Sequence, residues 1–390
     1  MKQGWEHKKL GEVCTIERGG SPRPITDYIT DSEDGINWIK IGDAQEGSKY
    51  ITSTKEKIRP EGIKKSRFVH KGDFILSNSM SFGRPYILKV DGCIHDGWLV
   101  IHDDNEVFIK DYLYYILSSS IMYAKFSQLA VGGVVNNLNS SLVRKVAIPI
   151  PPKSTQLSIV SELDKINELI RLKKEQLKDY DNLAQSIFYE MFGDPVENEK
   201  GWEVKKLGEV CTIERGSSPR PITAYITDSK DGINWIKIGD AQEGSKYITS
   251  TKEKIKPEGL KKSRFVHKGD FILSNSMSFG KPYILKIDGC IHDGWLVIHD
   301  NNNVFIKIYL YYLLASSIMY AKFSKLAVGG VVNNLNSSLV RKVDVSIPPL
   351  PLQHLFAQRI EQIEHQKSEV TKAITDLETL LASRMQHWFE

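Results

Sequence analysis

Cysteine is scarce in this chain: Cys14, Cys93, Cys211 and Cys290 are the only four in 390 residues, and none stands at CxxC spacing. Such usage fits neither a disulfide framework nor a zinc knuckle, so reduced, mostly buried thiols are expected. Long apolar runs are missing as well. No stretch of about 18 apolar residues occurs, which argues against a membrane span. The start, Met1-Lys2-Gln3-Gly4-Trp5-Glu6-His7, lacks the apolar segment of a signal peptide, so a cytoplasmic location is expected. The motifs GxxxxGK(S/T), GxGxxG, HExxH and GxSxG are absent, as is an Asn-Pro-Pro-aromatic string. ATP hydrolysis, dinucleotide use, zinc proteolysis, serine hydrolysis and amino-group methylation therefore lack their usual signatures, and no catalysis is expected of the chain alone. The Glu-x-Lys fragments at Glu6 and Glu203 are too short to count as a nuclease site. Strong net charge is also missing, at +4 overall, so any case for a polyanionic partner must rest on local clusters.

What is present is a duplication. Shifting the sequence by 197 positions aligns Gly4-Trp5-Glu6 with Gly201-Trp202-Glu203, and residues 4–146 differ from 201–343 at only 14 of 143 positions. A period this long is a copied domain, not a solenoid. With 41% apolar residues the chain can bury two cores. In each copy, β-like runs such as Trp38-Ile39-Lys40-Ile41, Phe74-Ile75-Leu76 and Tyr86-Ile87-Leu88 alternate with turn residues, and a helical pattern follows from Tyr112 to Phe126. An α/β globular domain is expected, with Trp38, Trp98, Tyr112, Tyr114 and Tyr115 in its core.

After Ile148-Pro149-Ile150-Pro151-Pro152 the pattern changes. Ser154 or Thr155 can cap a helix there, and prolines prevent its backward extension. Ile159, Leu163, Ile166, Ile170, Leu177, Tyr180, Ala184, Ile187 and Met191 then recur at spacings of four and three, with Lys173 interrupting. The same register returns at Phe356, Ile360, Ile363, Val370, Ile374, Leu377, Leu381 and Trp388, interrupted by Lys367 and Arg384, although the surrounding residues have diverged. Only the seam of a coiled coil was kept. About 38 residues of helix span about 57 Å, more than a small domain needs. Gly193 and Pro195 close the first helix.

The expected organisation is a globular domain over 1–152, a helix over 153–193, a linker over 194–200, a second domain over 201–349 and a second helix over 350–390. In that order the second helix packs on the first only by running back along it. The fold class is therefore α+β: two near-identical α/β domains and two long antiparallel helices, related by a pseudo-twofold axis. Two equivalent heads suit an inverted repeat in duplex DNA.

Positive charge concentrates locally. Lys55, Lys57, Arg59, Lys64, Lys65, Arg67 and Lys71 face only Glu56 and Glu61, and the second copy keeps every positive position, including Lys261, Lys262 and Arg264. Such a cluster can neutralise phosphates. Base edges are read by Arg, Asn or Gln, and three loops offer such heads on glycine-bearing backbone. The first carries Arg18 and Arg23, with Arg215 and Arg220 in the second copy. The second carries Asn78, Ser81 and Arg84, repeated as Asn275, Ser278 and Lys281. The third carries Asn136, Asn137 and Asn139, repeated as Asn333, Asn334 and Asn336. Turns also collect Asn, Ser and Gly for conformational reasons, so both roles stay open for each Asn. His95, Asp96, His102 and Cys93 fit no ligand spacing, and no metal site is expected.

Trp5 with Lys9-Leu10-Gly11-Glu12-Val13, Ile36-Asn37-Trp38-Ile39-Lys40-Ile41-Gly42-Asp43, Lys71-Gly72-Asp73 and the proline string before the helix occur in the same order twice. On these strings the chain resembles, over essentially its full length, the specificity subunits of Type I restriction-modification systems. The resemblance implies that each globular part is a target-recognition domain reading double-stranded DNA, and that the helices set the distance between two half-sites. It also implies docking of methyltransferase subunits, two of them, and of restriction subunits. S-adenosylmethionine, ATP and magnesium would belong to those partners, with no cofactor in this chain. The family's frequent Glu-Gln pair before the helices is Thr155-Gln156 and Leu352-Gln353 here. Members commonly carry two different recognition domains; this one carries nearly the same domain twice, so an inverted-repeat target is expected. Two alternatives stay open on sequence alone: a coiled-coil scaffold that does not bind DNA, and a stand-alone DNA-modifying enzyme.

Overall fold

The computed structural model describes residues 4–45, 47–78, 83–130, 138–242, 244–275, 280–327 and 335–390. Packing divides the chain into two compact units, Met1–Lys174 with Lys372–Glu390, and Glu175–Thr371. Each unit thus holds one copy of the repeat together with segments of both long helices, α1 (Lys153–Phe192) and α2 (Leu350–Phe389).

In the first unit two five-stranded sheets stack. One runs in the order Thr15–Arg18, Trp98–His102, Phe74–Ser77, Pro85–Leu88, Tyr50–Ile51; the other in the order Ile29–Thr30, Glu56–Ile58, Ile36–Ile39, Gly92–Ile94, Arg67–Val69. Strand side chains alternate between faces, and here both faces of the first sheet are covered. Phe74, Leu76, Leu99 and Ile101 join a core shared with the helices, while Ile75, Trp98 and Val100 point the other way, into the space between the sheets. Trp38 and Cys93 bury the outer face of the second sheet against Tyr28 and Ile29. The second unit repeats both sheets in the same strand order. Trp38, Trp98, Tyr112 and Tyr115 are core residues, and Tyr114 is half-buried.

Two local expectations change. The run from Tyr112 to Phe126 is two helices, Lys110–Ser118 and Ser120–Ala130. Ser119 breaks them, because its backbone is extended and its hydroxyl accepts the Met122 N–H at 3.3 Å, starting the next helix. The strand through Trp38 stops at Ile39, because the Asp43 carboxylate accepts the Lys40 N–H at 2.8 Å and turns the chain into a 3-10 helix over Ile41–Asp43.

The strings that carry the family resemblance build the fold. Leu10 and Val13 are buried, and a Cβ on Gly11 would lie 2.7 Å from that of Arg144. Gly72 sits at φ +94, a backbone region that disfavours other residues, beside Asp73, which accepts the His70 N–H.

The long helices are antiparallel within each unit. In the first, Glu162 pairs with Arg384 and Lys174 with Glu378; in the second, Asp181 pairs with Lys367, and Phe188 packs on Phe356. Lys367 and Arg384, which interrupt the apolar seam, thus join Lys174 in tying the helices together by charge. Among the seam residues Ile159, Leu163, Ile166, Ile170, Ala184, Phe356, Ile360, Ile363, Val370 and Ile374 are buried. Gly193, at φ +76, ends α1 by donating its N–H to the Tyr189 carbonyl. Glu162 also accepts from the Trp388 indole at 3.0 Å, and its carboxyl is held below the usual range chiefly by the Arg384 hydrogen bond, against the opposing effect of burial. A carboxyl so lowered contributes stability above its unfolded value, about 4.3, and loses it as pH falls through the folded value. The acid limb of unfolding is accordingly expected to flatten in Glu162→Gln, measured by circular dichroism against pH.

Gln156 fastens α1 to the globular core. Its buried amide accepts the Ile109 N–H at 2.7 Å and donates to the carbonyls of Val107 at 3.1 Å and Pro151 at 3.0 Å. Gln353 makes the same three bonds to Ile306, Val304 and Pro348. Gln156→Leu leaves these groups unpaired and is expected to cost about 3 kcal/mol, read from the urea midpoint.

All four cysteines are free and buried. Burial foremost, aided by nearby aspartates, pushes the Cys14 and Cys211 thiols up to about 12, and burial also raises Cys93 and Cys290. All four are expected to react with a disulfide reagent only after unfolding, which thiol titration with and without denaturant measures.

Candidate nucleic-acid interface

In each unit the described residues of the first two candidate loops meet at one turn. In the first it is His95-Asp96-Gly97, held tight by the Gly97 N–H donating to His95 Nδ1 at 2.7 Å. From the first loop, Arg18 Nε donates to the Asp96 carbonyl at 3.0 Å, the Ser21 hydroxyl donates to its carboxylate at 2.8 Å, and Arg23 lies 3.5 Å from that carboxylate. From the second loop, Asn78 Nδ2 donates to the same carbonyl at 2.9 Å. At the edge of the third, the Leu138 N–H donates to the Asn78 carbonyl at 2.9 Å. Gly19 is required by this closeness: a Cβ there would lie 2.2 Å from the His95 carbonyl oxygen.

The second unit repeats the arrangement around Asp293, with Arg215, Ser218, Arg220 and Asn275 in the same roles and Leu335 donating to Asn275. Burial works to raise the Asp96 and Asp293 carboxyls. The serine hydroxyls, with the neighbouring histidine and arginine, outweigh it and hold both below the usual range. Burial pushes the His292 imidazole down.

Basic residues border the cluster. A Cβ on Gly20 would lie 3.2 Å from the Lys65 carbonyl, which places the 3-10 helix Pro60–Lys65 against the first loop. Lys64, Lys65, Lys261 and Lys262 are exposed. The Lys65 ammonium donates to the Tyr28 hydroxyl at 2.6 Å and lies 5.1 Å from the ring centroid, and Lys262 does the same with Tyr225.

The candidate residues therefore divide. Arg18, Arg23, Arg215 and Arg220 present exposed heads at the cluster. Arg84 and Lys281 are exposed at the foot of the second loop, where their backbones pair with Ser77 and Ser274. Asn78 and Asn275 are 1% and 0% exposed, so the outward contact expected of them is replaced by work inside the cluster. Asn139 and Asn336 cap short helices, accepting the N–H groups of Leu142 and Leu339 at 3.0 Å. Arg67 and Arg264 are bound to Glu17 and Glu214 and to the carbonyls of Arg18 and Arg215. Ser81, Asn136, Asn137, Ser278, Asn333 and Asn334 lie outside the described residues. Sequence reading missed the organising role of Asp96 and Asp293; the Asp-Gly pair, a strong turn signal, was the available clue. Among the described residues no group of three or more His, Cys, Asp or Glu is placed to hold a metal, and no helix is long and apolar enough to cross a membrane.

A family model described as the Type I restriction modification DNA specificity domain matches residues 2–179 and 199–379. A putative type I restriction enzyme MjaX specificity subunit from Methanocaldococcus jannaschii is 24% identical over 418 residues, covering 98% of this chain and 93% of its own length. The MjaIX specificity subunit of the same organism is 26% identical over 263 residues, covering 63% of this chain and 60% of its own. A structure reported for the complex assembly and conformational transition of the type I R-M system aligns with a TM-score of 0.68 at 20% identity, covering 99% of this chain and 97% of that one. The S subunit from M. genitalium aligns at 0.50 with 13% identity, covering 99% and 96%. At these identities the solved structures show a shared fold.

Proposed function

Since the chain belongs to the Type I restriction-modification DNA specificity family, we propose that it is the non-catalytic subunit that reads a bipartite DNA target and holds the methyltransferase and restriction subunits on it. The observation that carries this reading is the loop cluster around Asp96 with its basic border, built again around Asp293 from nearly the same residues. Each unit supplies one reader, with exposed arginines for bases or phosphates and lysines for phosphates. Nearly identical readers argue for two half-sites of the same short sequence, and the domain–helix–domain–helix order argues for their inversion, with an unread spacer between. S-adenosylmethionine, ATP and magnesium belong to the partners in this reading.

Sequencing that detects methylated bases in cells carrying this chain and its methyltransferase partner tests the proposal. An inverted repeat with an unread spacer is the expected result; two unrelated half-sites would overturn the symmetry. A shift assay on random duplex is expected to weaken steeply with salt. Absence of duplex binding even at low salt would favour a scaffold that does not use DNA.

A further inference from the structure

We propose that a recess beside the His95 turn, and its copy in the second unit, receives a nucleobase left unpaired in the target when the methyltransferase partner withdraws the base opposite. The inference rests on the DNA-reading function proposed above. Enzymes that modify a base inside a duplex must take it out of the stack, which leaves its partner without a pairing edge. The first recess has a volume of about 860 Å³ and shares Ser21, Arg23 and His95 with the loop cluster around Asp96. The second, about 940 Å³, has the corresponding lining around Arg220, Trp235 and His292. Both fall in the size range of small-molecule sites.

The lining suits a base. Pro22, Ile25, Ile29 and Trp38 make an apolar wall of the kind against which an extruded base packs. On the same lining the Lys40 ammonium is paired with the Glu56 carboxylate, and the two side chains are only 31% and 39% exposed. Lys237 and Glu253 repeat the pair. A donor beside an acceptor is what the Watson–Crick edge of every base requires: adenine offers N1 and an N6 hydrogen, thymine O4 and the N3 hydrogen. The pair can engage such an edge without surrendering its own charge balance. At the mouth, Arg23 and Arg220 are 82% and 83% exposed and only loosely held by Asp96 and Asp293, at 3.5 and 3.4 Å. A guanidinium so placed suits the phosphate of the same nucleotide. Apolar wall, paired donor and acceptor, and cationic mouth together specify a nucleotide rather than a bare anion.

The test uses the full chain with dAMP, dTMP and base-free deoxyribose 5-phosphate in titration calorimetry. The expected result is two nucleotide sites per chain, each at least tenfold tighter than the base-free sugar phosphate. Thr26 and Thr223 are exposed on the rim, so Thr26→Trp with Thr223→Trp should fill both recesses and lower nucleotide affinity at least tenfold, with circular dichroism confirming the fold. Glu56→Gln with Glu253→Gln should change the ratio of dAMP to dTMP affinity while keeping the volume. Equal binding of nucleotide and sugar phosphate, or nucleotide binding that survives the tryptophans, would overturn the proposal. Duplex binding measured on the same preparation separates the two inferences: a chain that binds duplex but not nucleotides keeps the DNA reading and loses the recess.

Discussion

Alanine at Lys64, Lys65, Lys261 and Lys262 together is expected to weaken binding to target duplex by about 100- to 1,000-fold near 0.1 M salt, and to lower the slope of log affinity against log salt by about 0.9 for each phosphate that is no longer neutralised. These lysines are exposed, and the backbones of Lys65 and Lys262 border the first loop of their units, a position suited to phosphate contacts. Phosphate contacts carry no sequence information, so the ranking of target over mutated duplexes is expected to stay unchanged. Arg18→Ala with Arg215→Ala should act differently, because each arginine both presents its head at the cluster and bonds the carbonyl of Asp96 or Asp293. A quadruple lysine variant that keeps wild-type affinity and slope would remove the basic border from the interface. One that binds normally at low salt but discriminates less would assign the lysines to base readout. Lys65 and Lys262 also rest on tyrosines, so the melting temperature of the variant is measured beside its affinity.

What could be read in the sequence was whatever repeats at short range or over the whole chain. The duplication, the α+β class, the two helices and the buried thiols all declare themselves through identity, period or composition. The cluster does not, because its bonds join residues with no periodic relation: Ser21 and Asp96 are 75 positions apart, Arg67 and Glu17 are 50 apart. Polar residues in loops look like free heads from sequence. Asn78 shows the limit of that reading: it is buried, and its amide is spent on the Asp96 carbonyl because the buried backbone there needs a donor. Gln156 was visible only as the retained half of a familiar Glu-Gln pair, yet it satisfies three backbone groups at the root of the helix.

The helices were legible in one direction only. A heptad pattern reports one face, and of it Ala184, Phe356, Ile360 and Ile363 join the globular core of the second unit; Phe188 and Phe192, off that seam, enter the same core. The counterparts of Phe188, Phe192 and Phe356 in the first unit are Met385, Phe389 and Ile159, so two near-identical domains are finished by different chemistry. The charged anchors diverge in parallel. Lys49 pairs with Asp111 at 2.5 Å; in the second copy Ile308 replaces that aspartate, and Lys246 pairs instead with Glu364 of α2 at 2.8 Å. Divergence in the helices and the few changes in the domains are thus coupled where the two meet.

Phe188→Ala is therefore expected to destabilise the second unit by about 3–5 kcal/mol, the range for emptying a buried aromatic site. Its side chain is fully buried, with ring centroids 5.3 Å from Phe192, 5.7 Å from Phe356 and 5.8 Å from Tyr309. Alanine removes the ring from the middle of this cluster and leaves a cavity that the rigid ends of α1 and α2 cannot close. The counterpart Met385 is half-buried, so Met385→Ala should cost about 2 kcal/mol, the low end for such truncations. Scanning calorimetry of the two variants checks the difference, because each cavity falls within one unit and should lower the melting of that unit first. Equal shifts would mean that the two units unfold as one and that the aromatic cluster adds nothing particular to the second. A shift confined to Phe188→Ala would show that the diverged helices, and not the copied domains, set the relative stability of the two units.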